Sequence, residues 1–326
     1  MRAMILSAGY GTRLWPLTED RTKPAIPILN KPLVGYVAEY LARYGCDDIV
    51  VNLHHRPESV QAALGDGNSF GVKLRYVHEP VILGTSGALD NVRGLLEGET
   101  FVVINGKIIT DIDLDAALQT HKRTGAIATL VVLPNPKCQR FTVVEAAEGY
   151  LKGFGSMPNA EDYAGREAPL MFTGIQILEP RIFDFIPRGI FSHSTTDVYP
   201  KAMAQGERIA AHIGAGQWSE LSTLQRYLDI SLAMLDERNE TFSAGKNCII
   251  APGAAVSQSI FWDRVVVASG ARVNRAVLAD DVEIGGGEII ENAVVVKKSL
   301  VIDKTPPPKS LKGEFQGDNF VVSLTQ

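Results

Sequence analysis

Cysteine is scarce in this chain. Cys46, Cys138 and Cys248 are the only three in 326 residues, widely separated and odd in number. They form neither a CxxC ligand pair nor a disulfide framework, and the setting they predict is a reduced cytoplasm. Positive charge is also short: the formal net charge is −5 and no lysine–arginine run offsets it locally. That excludes the basic footprint of a nucleic-acid partner. Small phosphate-bearing molecules stay within reach, because they need a few local cations and not a basic protein. No apolar run approaches the roughly 20 residues of a membrane span, so no membrane partner is expected. The opening MRAMILSAGYGTRL carries a short apolar run straight into a glycine turn. It reads as a strand and not as a signal peptide.

What remains is an ordinary globular balance, 45% hydrophobic and 21% charged. Over residues 1–240, short apolar strands alternate with amphipathic helices. Strands are predicted at 3–9, 48–53, 72–77, 101–106 and 127–133, and helices at 33–45 and 57–64. FVVING (101–106) is nearly all apolar, as in a parallel strand covered on both faces. The rhythm predicts an α/β domain around a mostly parallel, Rossmann-like sheet. Ligands in such sheets sit beyond the carboxyl ends of the strands, where Gly9, Asn105 and Gly106 fall.

The texture changes near residue 245. Segments 249–265, 266–282 and 283–299 align at a period of 17. Gly253, Gly270 and Gly287 share a column, as do Ile250, Val267 and Ile284, and Val256, Val273 and Ile290. Such units predict stacked solenoid coils over 246–302, each burying a face on its neighbour. The spacing resembles the hexapeptide repeats of left-handed parallel β-helices. Many proteins with that repeat are acyltransferases, whose general base is commonly a histidine in the coils. The last histidine here is His212, so the coils are expected to serve packing or oligomer contacts. In the tail, 303–326, the run TPPPKS forbids regular structure, and a surface arm is expected.

The chemistry centres on SAGYGTRLWPLTEDRTKPAIPILNKPL (7–33). Glycines let backbone approach a phosphate, and N–H groups with Arg13 and Lys23 can hold its charge. There is no Walker loop, and Leu14 stands at the third glycine position of a dinucleotide fingerprint. Taken alone, the glycines are equally compatible with a tight turn and solvated cations. The longer string is more specific. Gly9-x-Gly11-Thr12-Arg13-Leu14-x-Pro16-Leu17-Thr18, then Lys23-Pro24 and Lys31-Pro32-Leu33, resembles the signature of the sugar-1-phosphate nucleotidyltransferases. The resemblance continues through Glu79-Pro80, Leu83-Gly84-Thr85-Ser86-Gly87-Ala88, Asn105-Gly106, Phe172-Thr173-Gly174-Ile175 and Trp218. With the coils, the architecture is most similar to the mannose-1-phosphate guanylyltransferases.

The resemblance implies a nucleotide-diphospho-sugar transferase fold followed by a short left-handed β-helix. It implies transfer from a nucleoside triphosphate to a sugar-1-phosphate, with guanosine triphosphate and mannose-1-phosphate favoured by the architecture. Catalysis of that kind is positioning plus charge neutralisation. By resemblance, Ala8, Gly9, Gly11, Thr12, Arg13, Glu79, Gly84, Thr85 and Gly87 hold the nucleotide. Asn105, Gly106, Thr173, Gly174 and Glu220 face the sugar phosphate, and Arg13, Lys23 and Lys107 carry the catalytic charge.

Three positions depart from the pattern. The family's first metal carboxylate falls at Lys107, its second at Glu220, and its sugar-phosphate lysine at Met157. An ammonium has donors only and cannot ligate Mg²⁺. The two-carboxylate site is therefore not expected, Glu220 is at most a ligand, and Mg²⁺ is expected to arrive with the substrate. Two readings stay open. Lys107 replaces the metal as a fixed cation, or the domain binds a nucleotide-sugar without turning it over, as a regulatory subunit. Asp111 or Asp113 is expected to cap the helix near Leu114, and Trp218 to serve packing.

Overall fold

A computed structural model describes residues 1–324. Its contacts group into two compact units that do not follow the linear order of the chain. The first comprises Met1–Ala8, Tyr36–His54 and Leu64–Trp218; the second comprises Gly9–Gly35, His55–Ala63 and the chain from Ser219 onward. The glycine turn thus groups with the coils. Side chains far apart in sequence explain this: Trp15 lies edge-on to Phe320 at 5.4 Å, and Tyr227 donates to the Pro27 carbonyl at 2.5 Å.

The first unit holds a nine-stranded sheet. Four strands are mutually parallel, in the order Lys73–His78, Asp48–Leu53, Arg2–Leu6 and Phe101–Asn105. Phe101, Val102, Val103 and Ile104 are all fully buried, as the unbroken apolar run predicted. Beyond them the sheet is mixed. Leu170–Leu178 runs antiparallel between Phe101–Asn105 and Ala128–Pro134; Ile209–Ile213 restores a parallel pair, and the hairpin Val143–Ala147 with Tyr150–Gly155 closes the edge. The parallel reading holds for the half from Lys73–His78 to Phe101–Asn105, and not for the half from Leu170–Leu178 to that hairpin. Met4, Val50, Phe101, Leu130, Phe183 and Tyr199 are core members.

In the second unit the 17-residue repeat is the register itself. Ile250 pairs with Val267 and Val267 with Ile284, while Val256, Val273 and Ile290 stack in the neighbouring face. Gly253, Gly270 and Gly287 occupy the coil corners at φ 86°, 82° and 81°, where a side chain would be strained. Phe261, Val273, Leu278 and Val295 fill the interior. The tail departs from the expected arm. Residues 305–310 are irregular, as the prolines require, but Glu314–Gln316 and Asn319–Ser323 form a hairpin. Its second strand pairs antiparallel with Ile289–Lys297 and buries Phe320 and Val322. The last coil offers this segment an open strand edge to pair with.

Candidate active site

Four residues tie together the carboxyl ends of the parallel strands in the first unit. After Arg2–Leu6, the Ser7 amide donates to Asn52 Oδ1 at 2.8 Å. Asn52, near the end of its own strand, donates from Nδ2 to Glu79 Oε1 at 2.7 Å. Glu79 Oε2 accepts from the Leu83 amide at 3.1 Å, and the His54 ring nitrogen lies 2.7 Å from the Glu79 carbonyl. Glu79 is fully buried and Asn52 nearly so, and burial of such groups is tolerable only because each is hydrogen-bonded. Glu79, assigned by resemblance to the nucleotide, therefore spends both oxygens on holding two loops.

The second of those loops begins the helix Gly84–Asn91. Gly84 has φ 77°, and a Cβ there would strike the Ser192 carbonyl; one at Gly87 would come within 2.6 Å of the Ile190 carbonyl. Ser86 bonds Ser192 through its amide (3.1 Å) and its hydroxyl (2.8 Å), and Thr85 Oγ1 accepts from the Ser194 amide at 2.9 Å. Both glycines are thus required by backbone lying close against them. Asp90, on the same helix, accepts from Arg93, Arg188 and the Gly189 amide. Burial opposes its charge, but these donors outweigh burial and hold its carboxyl below the usual range.

Asn105 ends the strand Phe101–Asn105, and Gly106 presses on the first strand. The Gly106 amide donates to the Leu6 carbonyl at 2.9 Å, and a Cβ at Gly106 would collide with Ser7 Oγ. Thr173 and Gly174 lie in a bulge of Leu170–Leu178, where Gly174 (φ 84°) leaves room for the Asn105 amide. The Thr173 hydroxyl donates inward to the Val131 carbonyl at 2.7 Å, and Trp218 Nε1 donates to the Thr173 carbonyl at 2.9 Å. Trp218 also stands edge-on to Phe141, in the packing role expected of it. Lys107 occupies the turn after this strand and is half-buried. In the first unit, then, Ala8, Asn105, Gly106 and Lys107 lie at or just beyond the ends of two neighbouring parallel strands.

In the second unit, Gly11 (φ 70°) opens the short 3-10 helix Thr12–Leu14, and a Cβ there would lie 3.1 Å from Lys23 Cβ. Glycine at 11 thus admits the Lys23 segment against the turn. Gly9 and Arg13 are exposed, and Thr12 and Lys23 half-buried. Two residues before Lys23, the Arg21 guanidinium meets Asp20 and Asp280. Burial disfavours its charge, but the two carboxylates prevail and raise its pKa. Glu220 closes the short strand Trp218–Glu220.

The metal expectation can be tested on donors. Among the described residues, no group of three or more histidine, cysteine, aspartate or glutamate side chains is placed to hold a metal ion. Asp113 Oδ1 caps the helix Leu114–Thr124 by accepting from Ala116 at 3.1 Å, and Asp111 Oδ1 accepts from the Gln217 amide at 2.5 Å. Each aspartate thus has one carboxylate oxygen engaged in a local backbone bond. Of the two positions where the resemblance places metal carboxylates, Lys107 carries an ammonium, which has donors only, and Glu220 keeps a carboxylate.

Asn52, Ser192 and Ser194 stand in none of the sequence motifs. Asn52 leaves a trace, a polar residue in the otherwise apolar DIVVNL. The two serines leave none, since nothing local assigns them to a helix more than a hundred residues earlier.

The profile of the nucleotidyl transferase family matches residues 2–237, and that of the GlmU-like C-terminal hexapeptide matches 238–306. The UTP–glucose-1-phosphate uridylyltransferase of Synechocystis sp. is 34% identical over 241 residues, 70% of this chain and 61% of that protein. This chain thus spans about three-fifths of that relative's length. The mannose-1-phosphate guanylyltransferase catalytic subunit beta of Dictyostelium discoideum is 31% identical over 262 residues, 77% of this chain and 70% of that protein. HddC from Yersinia pseudotuberculosis, solved with GMP-PN, shares the fold at a TM-score of 0.62 and 20% identity, over 72% of this chain and 99% of its own. With the profile running from the first strand to residue 237 and the coils matched behind it, the chain belongs to the nucleotidyl transferase family.

Proposed function

We propose that this protein joins a sugar-1-phosphate to a nucleoside triphosphate, yielding a nucleotide-sugar and pyrophosphate. The reading is carried by the Ser7–Asn52–Glu79–Leu83 chain of hydrogen bonds, which ties together the carboxyl ends of three consecutive parallel strands. Such an edge is where open α/β sheets bind ligands. The sugar-phosphate oxygen attacks the α-phosphorus; that bond forms as the α–β anhydride breaks, and pyrophosphate carries away the electron pair. Gly9, Gly11 and Thr12 present backbone to the phosphates, with Arg13 and Lys23 as counter-charges. Lys107 supplies a fixed cation at the end of its strand, aimed at charge that develops in transfer. Asn105, Gly106, Gly174 and Glu220 serve the sugar phosphate. Magnesium enters as the counter-ion of the triphosphate substrate.

Mannose-1-phosphate and GTP are the favoured pair, supported by the guanylyltransferase relatives with a similar span; the uridylyltransferase relative makes UTP with glucose-1-phosphate the comparison. A cytoplasmic setting and association through the coils belong to the same reading. The test is pyrophosphate release over four nucleoside triphosphates and several sugar-1-phosphates, for the native chain, Lys107→Ala and Lys107→Asp. Turnover that falls about 100-fold in Lys107→Ala upholds the lysine as a catalytic cation. No native turnover, with tight calorimetric binding of one nucleotide-sugar, makes the domain a sensor. Turnover only in Lys107→Asp identifies a metal site closed by one residue.

A further inference from the structure

The coils of the second unit grip the segment that carries Lys23. The Arg21 guanidinium lies 4.6 Å from the Trp262 ring centroid, and its Nη2 reaches Asp280 Oδ2 at 2.5 Å. Asp280 is itself fixed, since its Oδ1 accepts from the Asp263 amide at 2.9 Å. Trp262 is 2% exposed, and its Nε1 donates to the Tyr227 hydroxyl at 2.9 Å; that hydroxyl donates in turn to the Pro27 carbonyl at 2.5 Å. One connected set, Asp280–Arg21–Trp262–Tyr227, therefore holds the chain at residues 21 and 27, on both sides of Lys23.

The same segment is also tied at Thr22, whose amide donates to the Ser59 hydroxyl at 3.1 Å, and Ile26 is fully buried. Cavities of 860 and 540 Å³ are each lined by Arg21, Trp262 and Asp280. The Arg21 and Asp280 side chains are 21% and 23% exposed, so water screens their attraction less than it would on an open surface. Planar guanidinium on indole is geometry that lysine does not reproduce.

We propose that Arg21 is a positioning residue for the transfer: Asp280 and Trp262 of the coils seize it and thereby set Lys23 against the glycine turn. The inference rests on the proposed nucleotidyl transfer. It gives the coils a part in the reaction that packing or subunit contact does not require. A small displacement of a charged group costs much in transfer reactions, where most of the rate comes from alignment.

The test combines kinetics with hydrogen exchange on the full chain, for Asp280→Asn, Arg21→Gln and the pair together. Arg264→Gln is the control, since it removes a half-exposed ion pair with Asp281 within the same coils. Each single substitution is expected to lower kcat roughly tenfold, with KM for the nucleotide moved by less than about twofold. The double variant should be no slower than the worse single, because both break one linkage. Amides of residues 20–27 should exchange faster while the coils stay protected, and Arg264→Gln should change nothing. Unchanged kcat in both singles, additive losses in the double, or an equal loss in the control overturns the inference. If Asp280→Asn fails to fold, Arg21→Gln decides alone, as it leaves the Asp280–Asp263 bond intact. If the native chain releases no pyrophosphate, the transfer reading fails, and GTP affinity by calorimetry with exchange replaces kcat. Weaker affinity with faster exchange in Arg21→Gln then upholds the positioning role, and no change in either removes it.

Discussion

Gly174 sits at φ 84°, and a Cβ there would run into the Asn105 side chain. Two costs combine, the left-handed backbone and the displaced amide. Gly174→Ala is expected to destabilise the chain by roughly 2–3 kcal/mol. Urea denaturation would show the midpoint falling at constant slope; an unmoved midpoint would mean that Asn105 yields freely. Such residues were legible in the sequence because the motif string carries them. Gly106, Gly174 and the glycines at 84 and 87 each stand where backbone or a neighbouring side chain passes too close for a Cβ. Lys107 was legible as an anomaly for the same reason, since its place in the string calls for a carboxylate. Glu79 was found but its task was not: a motif names a position, and only the buried bonds to Asn52 and Leu83 show that its oxygens face inward.

At the scale of elements, period decided what could be read. The strands Asp48–Leu53 and Phe101–Asn105 and the helices Leu33–Arg43 and Pro57–Leu64 lie within two residues of their predicted bounds. The three coils announce themselves by a repeat that the parallel register then reproduces. The terminal hairpin had no such signal, and the prolines before it pointed the other way. Phe320 holds it in place, 6% exposed, with Trp15 at 5.4 Å and Phe315 at 5.1 Å. Phe320→Ala is expected to cost roughly 3–5 kcal/mol, read as a lower unfolding midpoint of the coils. Loss of the hairpin would also bare the edge of Ile289–Lys297, so light scattering should rise on heating. A midpoint within error of the native one would show the hairpin to be dispensable.

For the molecule as a whole, proton balance links the interior to pH. His121 is 2% exposed, with one ring nitrogen 2.8 Å from Thr129 Oγ1 and the other 2.9 Å from Glu179 Oε1. Burial pushes its pKa below the usual 6.5, and the Glu179 carboxyl only partly opposes that. Near neutral pH the contact is therefore a hydrogen bond of a neutral ring. The unfolded histidine takes up its proton first, so stability falls as pH drops from about 6.5 towards the lower folded value, by at most about 1.4 kcal/mol per pH unit for this proton. His121→Gln should flatten the slope between pH 7 and 5. A slope unaltered by the substitution would assign it to other groups.

The sequence alone determined whatever recurs locally or follows from residue type. The α/β rhythm, the coil repeat, the glycine turn with its cations and the missing metal carboxylate all belong there, because steric and periodic constraints act within a few residues of their cause. Tertiary structure decided the rest. It set the antiparallel strand Leu170–Leu178 within the sheet, the Ser192 clamp on Ser86, and the Arg21–Asp280 pair across 259 residues of chain. Each of these joins segments that no local pattern links, and which partners meet depends on the loops that close between them.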